Sequence, residues 1–336
     1  MCAFFYIYCF PSKQFFTALN GRLDLLKRAR VASVTANQWP TLAQQAASSE
    51  PHMNFVRNIR TLEQTAYIWE MNCNPQADEL FLVNRNKHVV HAMHVRTDAD
   101  TGDVRDVYRG SAQDTSPDVR SVCHMRDLDA LLVYSYECGP NNDFPSYWLV
   151  ALSRRGCGGE WCEAHRVPTL YASLTCALSD SRVLLGQFNS KYLELFRVQS
   201  GPRIAHENCI RVPEDQKYIC FSATCGSGGD THVAMSYEDE SVRVFRLVGD
   251  RLDEMARIRL EKPELLLWVA SRLLVEAPSR EYSGVVELEL RGTQLERRAE
   301  LIAGTHNFTV DRWCAMDDGL LVYNHNSKEL LHYSLT

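Results

Sequence analysis

The stretch GLLVYNHNSKELLHYSLT, Gly319–Thr336, decides the fold, because two apolar segments flank a short polar turn. Apolar and polar residues alternate in the second segment, which is the pattern of a half-buried β-strand. An isolated two-stranded hairpin is only marginally stable in water. Further strands from elsewhere in the chain must therefore pair with this hairpin.

Five other segments have the same order of strand, polar turn and strand, which indicates an internal repeat. They lie at 79–95, 130–152, 182–198, 232–248 and 272–290. Equivalent apolar positions recur at intervals of 40 to 52 residues, at Val83, Val133, Leu185, Met235, Val275 and Val322. A period of this length is typical of a unit of four strands.

Each hairpin has predicted strands on either side. An apolar inner strand precedes every hairpin, at 66–71, 119–125, 171–178, 217–223, 265–270 and 308–316. A more polar strand follows every hairpin except the last, as expected at a sheet edge that faces water, at 104–110, 160–167, 204–212, 252–260 and 295–301. The pattern predicts an all-β fold, a six-bladed β-propeller of four-stranded antiparallel blades.

Only five of the six hairpins are followed by an outer strand. We therefore expect the outer strand of the sixth blade to come from the N-terminal side of the repeats. NFVRNIRTL, residues 54–62, carries apolar Phe55, Ile59 and Leu62 and precedes the first inner strand. We predict that this strand pairs with 329–335 and closes the ring, which removes the exposed edges of an open ring.

The predicted domains are an N-terminal extension, residues 1–53, and the propeller, residues 54–336. The extension has the pattern of one amphipathic helix followed by a polar linker rich in Ala, Gln and Ser. A seven-bladed ring is disfavoured, because the extension contains too few alternating segments to form four strands.

The blade pattern resembles that of WD-repeat propellers over roughly the last four-fifths of the chain. LLVYNHNSKELLHYSL has the length and apolar spacing of that family's central hairpin, with Tyr333 at the place of the signature Trp. The sequence departs from the family because no blade carries the Trp-Asp pair and the Gly-His element is missing. The positions equivalent to Tyr333 in other blades are Met93, Phe196, Phe245 and Leu288.

Composition bounds the class of protein. The chain has 336 residues, of which 45% are hydrophobic and 23% charged, with a formal net charge of −6. Lys and Arg are scattered along the sequence, whereas nucleic-acid binding needs a concentrated basic face, so no nucleic-acid partner is expected. The opening MCAFFYIYCFP is too short to span a membrane and no membrane association is expected. The twelve cysteines lie singly, mostly in apolar runs, which favours free thiols and an intracellular, cytoplasmic or nuclear, location.

Metal-like and catalytic motifs are weak. Cys157-x4-Cys162-x2-His165 has zinc-type ligands but not the spacing of a closed tetrahedral site, and Cys220-x4-Cys225 places one thiol on a strand and one in a loop. We therefore expect no metal, no cofactor and no catalytic residue. Histidines near the inner strands are interpreted as hydrogen-bonded structural residues, and three inner-strand tryptophans as packing between blades: His124, His232, His306, Trp69, Trp268 and Trp313.

Two functions remain open at this point. The first is a non-catalytic interaction scaffold, alone or as a subunit of a larger complex, whose loops between middle strands bind a protein or peptide. The alternative is a propeller enzyme, lactonase-like or another hydrolase, with a metal in the central channel held by Glu70, Asn72, Asp180 or Asp311. The candidate partner-binding residues are Arg85, Lys87, Phe144, Tyr237, Glu238, Arg280, Tyr282 and His325.

Overall fold

In the computed structural model, the described residues all lie within Glu50–Thr336. They are 53–62, 67–74, 78–95, 104–109, 118–137, 146–155, 159–170, 174–178, 181–186, 190–213, 217–225, 229–269, 271–277, 285–301, 312–316 and 319–335. The extension predicted at 1–53 lies almost entirely outside these residues, and its boundary with the propeller stays a prediction.

The described residues form β-strands and one short 3-10 turn, Arg126–Leu128. The first strand is β1 (Met53–Thr61). Blade 1 comprises β2 (Ile68–Asn74), β3 (Glu79–Asn84), β4 (Val89–His94) and β5 (Arg105–Arg109). Blade 2 comprises β6 (Asp118–Met125), β7 (Ala130–Glu137), β8 (Ser146–Arg155) and β9 (Glu160–Thr169). Blade 3 comprises β10 (Leu174–Ala177), β11 (Arg182–Gly186), β12 (Tyr192–Gln199) and β13 (Arg203–Arg211).

The remaining strands follow the same plan. Blade 4 comprises β14 (Tyr218–Cys225), β15 (Thr231–Tyr237), β16 (Ser241–Val248) and β17 (Arg251–Arg259). Blade 5 comprises β18 (Leu266–Val269), β19 (Arg272–Glu276), β20 (Val285–Arg291) and β21 (Gln294–Leu301). Blade 6 comprises β22 (Arg312–Met316), β23 (Gly319–Asn324), β24 (Glu329–Leu335) and, as its outer strand, β1.

Pairing within every blade is antiparallel. In blade 6, β1 pairs with β24 from Met53 opposite Leu335 to Thr61 opposite Glu329. Blades 3 and 4 also share one parallel pair, Arg211 with Arg251, between their outer strands. The prediction of an all-β propeller with four-stranded antiparallel blades is confirmed. The blade number of the whole chain stays a prediction, because residues 1–52 are not described.

The core consists of apolar clusters at the contacts between blades. Each of six clusters combines side chains of two neighbouring blades. Phe81 of blade 1 packs with Val133 of blade 2, and Leu330 of blade 6 packs with Leu82 of blade 1. Because both faces of a blade are covered by its neighbours, the middle strands are almost wholly buried. Among the described residues, no helix has the length and apolar character needed to cross a membrane.

Bulges interrupt the pairing of middle and outer strands. In blade 3, Glu194 pairs with Cys209 and Leu195 with Asn208, but Phe196 pairs with His206, so Glu207 is an extra residue. Blade 4 has the same irregularity between Val244 and Phe245. An extra residue changes which side chains share a face of the sheet, because side chains along a regular strand alternate between its two faces.

Candidate functional site

One face of the propeller gathers polar and aromatic residues from several blades. Because the strands of a blade are antiparallel, each inner strand begins at the end of the blade where the turn between the two middle strands lies. We call this side of the ring the turn face. It includes the first residues of β2, β6 and β22, and the turns that follow β3 and β23.

Three arginines surround Trp69 on the turn face. The guanidinium carbon of Arg85 lies 4.5 Å from the centre of the Trp69 ring, that of Arg312 5.1 Å and that of Arg120 5.9 Å. Guanidinium groups at such distances are attracted to the negative face of the indole ring. Trp69 with these three side chains is the arginine cluster, and its members come from blades 1, 2 and 6.

Hydrogen bonds fix the arginine cluster. The backbone N–H of Arg85 donates to the carbonyl of Tyr67 at 3.0 Å, and Nε of Arg312 donates to the carbonyl of Trp69. Nη2 of Arg120 donates to the hydroxyl of Tyr136 at 3.4 Å, and its guanidinium lies 5.1 Å from the centre of that ring. Strand ends of packed blades therefore hold the cationic groups in place.

Aromatic side chains extend the arginine cluster towards blade 6. The ring of Tyr67 lies 6.2 Å from that of Trp69 and 5.1 Å from that of His325, edge to face with the latter. The ammonium of Lys328 lies 3.2 Å from Nδ1 of His325. The result is a continuous surface of half-buried rings and cations.

The central channel opens beside this cluster. It has a volume of about 710 Å³, and residues of all six inner strands line it. Glu70 of β2 lies on its wall, where burial raises the pKa of the carboxyl to about 8, opposed only in part by the hydroxyl of Ser121 and the charge of Arg312. Glu70 is therefore mostly protonated at neutral pH and does not offset the charge of the arginines.

Thiols of the inner strands also line the channel. Sγ of Cys176 accepts a hydrogen bond from the backbone N–H of Ala223 in the next blade at 3.2 Å. Burial raises the pKa of Cys176 to about 12 and that of Cys220 to about 11, and it also raises the pKa of Cys123 well above the ordinary value of a thiol. These thiols are therefore neutral at physiological pH. They are not simply small apolar side chains, as the sequence predicts, because they also make polar contacts between neighbouring blades.

The structure brings together two of the predicted partner-binding residues, Arg85 and His325, through Tyr67 and Trp69. Lys87 is exposed on the same turn as Arg85. Glu238 is exposed on blade 4 and does not belong to this cluster. Phe144, Arg280 and Tyr282 lie outside the described residues.

Tyr237, which is predicted to bind a partner at the surface, lies in the core instead. Its side chain is fully buried, with the guanidinium of Arg243 4.3 Å from its ring centre and its hydroxyl donating to Sδ of Met235 at 3.3 Å. Arg243 is itself 1% exposed and pairs with Asp239 of the turn at 2.8 Å. The ring supports the turn between β15 and β16 from beneath, so it cannot contact a partner.

The weak motifs have structural roles where they are described. Nδ1 of His165 accepts a hydrogen bond from the backbone N–H of Ile204, which joins blades 2 and 3, and Cys157 is not described. Cys225, expected in a loop, is the last residue of β14. His124 packs on Phe81 and lies 3.3 Å from Asp129. His306, Asp180 and Asp311 lie outside the described residues.

Sequence reasoning missed Tyr67, Arg120 and Arg312, and assigned Trp69 to packing alone. Trp69 does pack between blades 1 and 2. Trp268 is buried between blades 4 and 5, and Trp313 between blades 5 and 6. A usable signal was present, because Arg120 and Arg312 both lie near the start of an inner strand. Equivalent positions in a ring of repeats share one face.

No protein-family model matches the chain, and no curated protein is significantly similar to it in sequence. Solved structures are similar in fold. One chain in the crystal structure of a mitotic checkpoint complex superposes with a TM-score of 0.52 at 10% identity, covering 90% of this chain and 97% of that chain. A glucose dehydrogenase gives a TM-score of 0.53 at 9% identity, covering 83% and 98%. The soluble aldose sugar dehydrogenase of Escherichia coli gives 0.52 at 7%, again covering 83% and 98%. The chain shares the β-propeller fold with these proteins.

Proposed function

We propose that the chain is a non-catalytic interaction scaffold of the WD-repeat type, whose turn face binds an acidic segment of a protein partner. The observation that carries this proposal is the arginine cluster, which holds three guanidinium groups around Trp69. Guanidinium groups bind carboxylates in bidentate geometry, and Trp, Tyr and Arg are enriched in the residues that dominate binding energy.

The charge of the surroundings supports an acidic ligand. Lys87 and Lys328 lie on the turns beside the cluster, and the nearest channel carboxyl, Glu70, is mostly protonated at neutral pH. A protein segment is favoured over nucleic acid because the other Lys and Arg residues are scattered along a chain with net charge −6 and do not form one extended basic face. The eight free cysteines of the described residues support an intracellular location as part of the same proposal.

Binding of fluorescent peptides tests the proposal. Acidic peptides with aromatic residues should bind more tightly than neutral or basic peptides, and the affinity should decrease as salt increases, because the contacts are ionic. The double variant Arg85→Ala/Lys87→Ala should lose about tenfold or more in affinity. Arg246→Ala is the matched control, because Arg246 is exposed on blade 4 and its removal should leave the affinity for the peptide unchanged. The proposal would be contradicted if neutral peptides bound as tightly as acidic ones, or if Arg246→Ala lost as much affinity as the double variant. Tighter binding of an RNA oligomer than of the acidic peptides would also contradict it.

The alternative function, a propeller hydrolase, has one observation in its favour. Glu70 has a pKa of about 8 inside the channel, which is the range in which a carboxyl can act as a general acid or base near neutral pH. Among the described residues, however, no three His, Cys, Asp or Glu side chains of the channel wall place ligand atoms within 4.8 Å of one another. A screen of lactone and ester substrates, with Glu70→Gln as the comparison, tests this function. Turnover that the substitution abolishes would favour the enzyme over the scaffold.

A further inference from the structure

A second polar cluster lies on blade 3, outside the channel lining. Glu194 of β12, His206 and Cys209 of β13 place one carboxylate oxygen, one imidazole nitrogen and one thiol sulfur within 4.8 Å of one another. Nε2 of His206 lies 3.7 Å from Oε1 of Glu194 and 3.6 Å from Sγ of Cys209. We call these three residues the blade 3 triad.

The bulge in β13 makes the triad possible. Residues three apart on a regular strand point to opposite faces of the sheet, so His206 and Cys209 would normally be separated. Because Glu207 is the extra residue, both side chains lie on the face that carries Glu194. Glu194 pairs directly with Cys209, and the ring of His206 packs edge to face on Phe196 with centroids 5.0 Å apart.

The distances match those of a tetrahedral zinc site. With Zn–N, Zn–O and Zn–S bonds of about 2.0 to 2.3 Å, neighbouring ligand atoms of a tetrahedron lie about 3.4 to 3.6 Å apart. The two separations in the structure, 3.7 and 3.6 Å, are close to these values without any movement of the backbone. Thiolate, imidazole and carboxylate are the three ligand types that zinc takes from proteins.

The burial and orientation of the Glu194 carboxylate favour binding of a cation. It is 7% exposed, and its Oε2 accepts a hydrogen bond from the backbone N–H of Leu170 at 2.8 Å, which leaves Oε1 directed towards His206. Burying a carboxylate is costly unless a positive charge or further donors compensate it. His206 and Cys209 are exposed, so an ion can enter from solvent.

In blade 4, the positions equivalent to the blade 3 triad are occupied by charged residues that pair with one another. In register, Arg243, Glu254 and Arg257 are equivalent to Glu194, His206 and Cys209. Glu254 lies 3.8 Å from Arg243 and 3.0 Å from Arg257, so these three groups form an ion-pair network. At the equivalent positions of its own bulge, blade 3 carries three side chains of types that bind metals.

We propose that the blade 3 triad binds one zinc-type divalent ion, with the fourth coordination position open to water or to a ligand. Three protein ligands with an open position are typical of zinc sites that take part in chemistry, whereas purely structural sites use four. The ion would also link β12 to β13 and neutralise the buried carboxylate.

Metal titration of the full chain tests this proposal. After removal of metals by a chelator, Zn²⁺ should bind in competition with a chromophoric chelator, and Co²⁺ should give a thiolate-to-metal absorption in the near ultraviolet. Cys209→Ser and His206→Asn should each remove one equivalent of bound metal or weaken it about 100-fold, and Cys209→Ser should abolish the Co²⁺ absorption. Both side chains are exposed, and circular dichroism checks that the variants are folded.

Cys162→Ser is the matched control, because it removes a thiol of the neighbouring outer strand β9 and also disrupts the Cys157-x4-Cys162-x2-His165 motif. This variant should bind Zn²⁺ like the wild type. Loss of the bound metal in Cys162→Ser with retention in Cys209→Ser would overturn the proposal. So would an equal stoichiometry and affinity in the wild type and both triad variants, or no binding to any of them.

Discussion

Glu70 makes the stability of the fold depend on pH. Its folded-state pKa, about 8, is above the ordinary value of 4.5 because burial disfavours the charged form. Between these two values the folded state binds more protons than the unfolded state, so stability decreases as pH rises through this window and levels off above it. One such carboxyl contributes a slope of up to about 1.4 kcal/mol per pH unit.

Glu70→Gln should remove this slope, because the amide does not titrate. Urea unfolding at several pH values between 5 and 9 measures it, and the variant should gain stability relative to the wild type as pH rises. Asp106→Asn is a suitable control, since Asp106 of β5 pairs with His91 of β4 and Arg109 of β5, away from the channel lining. Parallel curves for wild type and Glu70→Gln would contradict a raised pKa at this residue.

The channel thiols should react slowly. Burial holds the pKa of Cys123, Cys176 and Cys220 above the ordinary value, and the thiolate is the nucleophile, so little of each is reactive at pH 8. Iodoacetamide labelling, followed peptide by peptide in the mass spectrometer after chelator treatment, should modify exposed Cys209 first among the cysteines of the described residues. Labelling of Cys176 as fast as Cys209 in the folded chain would contradict this ordering.

Among the elements, the turn between β15 and β16 depends on one buried cation. Arg243 contacts Tyr237, Asp239 and Glu254, and its removal deprives Asp239 of its ion-pair partner, whereas Glu254 keeps Arg257. Arg243→Leu should therefore lower the free energy of unfolding by about 3 kcal/mol. Arg246→Leu, on the same strand but exposed, should change it by less than about 0.5 kcal/mol. Equal effects of the two substitutions in urea unfolding would contradict this role.

Strands were predictable from the sequence because alternation and polar turns are local signals. Tyr237 shows where such signals stop. In sequence it adjoins the polar residues Glu238 to Glu240 and resembles a loop residue, but it is the last residue of β15 and points into the interface with blade 3. Which face a strand end presents depends on the neighbouring blade, and a local pattern does not contain that information.

The two side-chain clusters were not predictable for a related reason. The arginine cluster joins residues of three blades, and the blade 3 triad depends on one extra residue in β13. Both need the stagger and twist of paired strands, which the order of apolar and polar residues does not specify.

At the scale of the molecule, the contact between blades 6 and 1 should be essential for stability. Ile59 of β1 is 3% exposed and packs in the cluster shared by these blades, whereas Val56 of the same strand is 48% exposed. Ile59→Ala should cost about 2 to 4 kcal/mol, and Val56→Ala less than about 0.5 kcal/mol. Thermal unfolding of both variants measures the difference, and equal melting temperatures would show that β1 is not part of the cooperative unit.

Ion pairs add specificity to the contact between blades 1 and 2. The carboxylate of Glu79 is 1% exposed and pairs with Arg105 of its own blade and Arg154 of the next. The guanidinium of Arg154 also lies 4.7 Å from the ring centre of Trp161. A buried carboxylate that two blades must neutralise together favours one register of the two sheets over others.

The pairing of β1 with β24 also orders events in time. Asn58 and Glu329, which share a hydrogen bond, are 271 residues apart, so β1 emerges from the ribosome long before its partner has been synthesised. During that interval β1 has no partner strand and the face of blade 1 that packs on blade 6 is uncovered, a state open to pairing with other chains. The completed ring is thus a late product of synthesis, and the nascent chain is the form most exposed to misassembly.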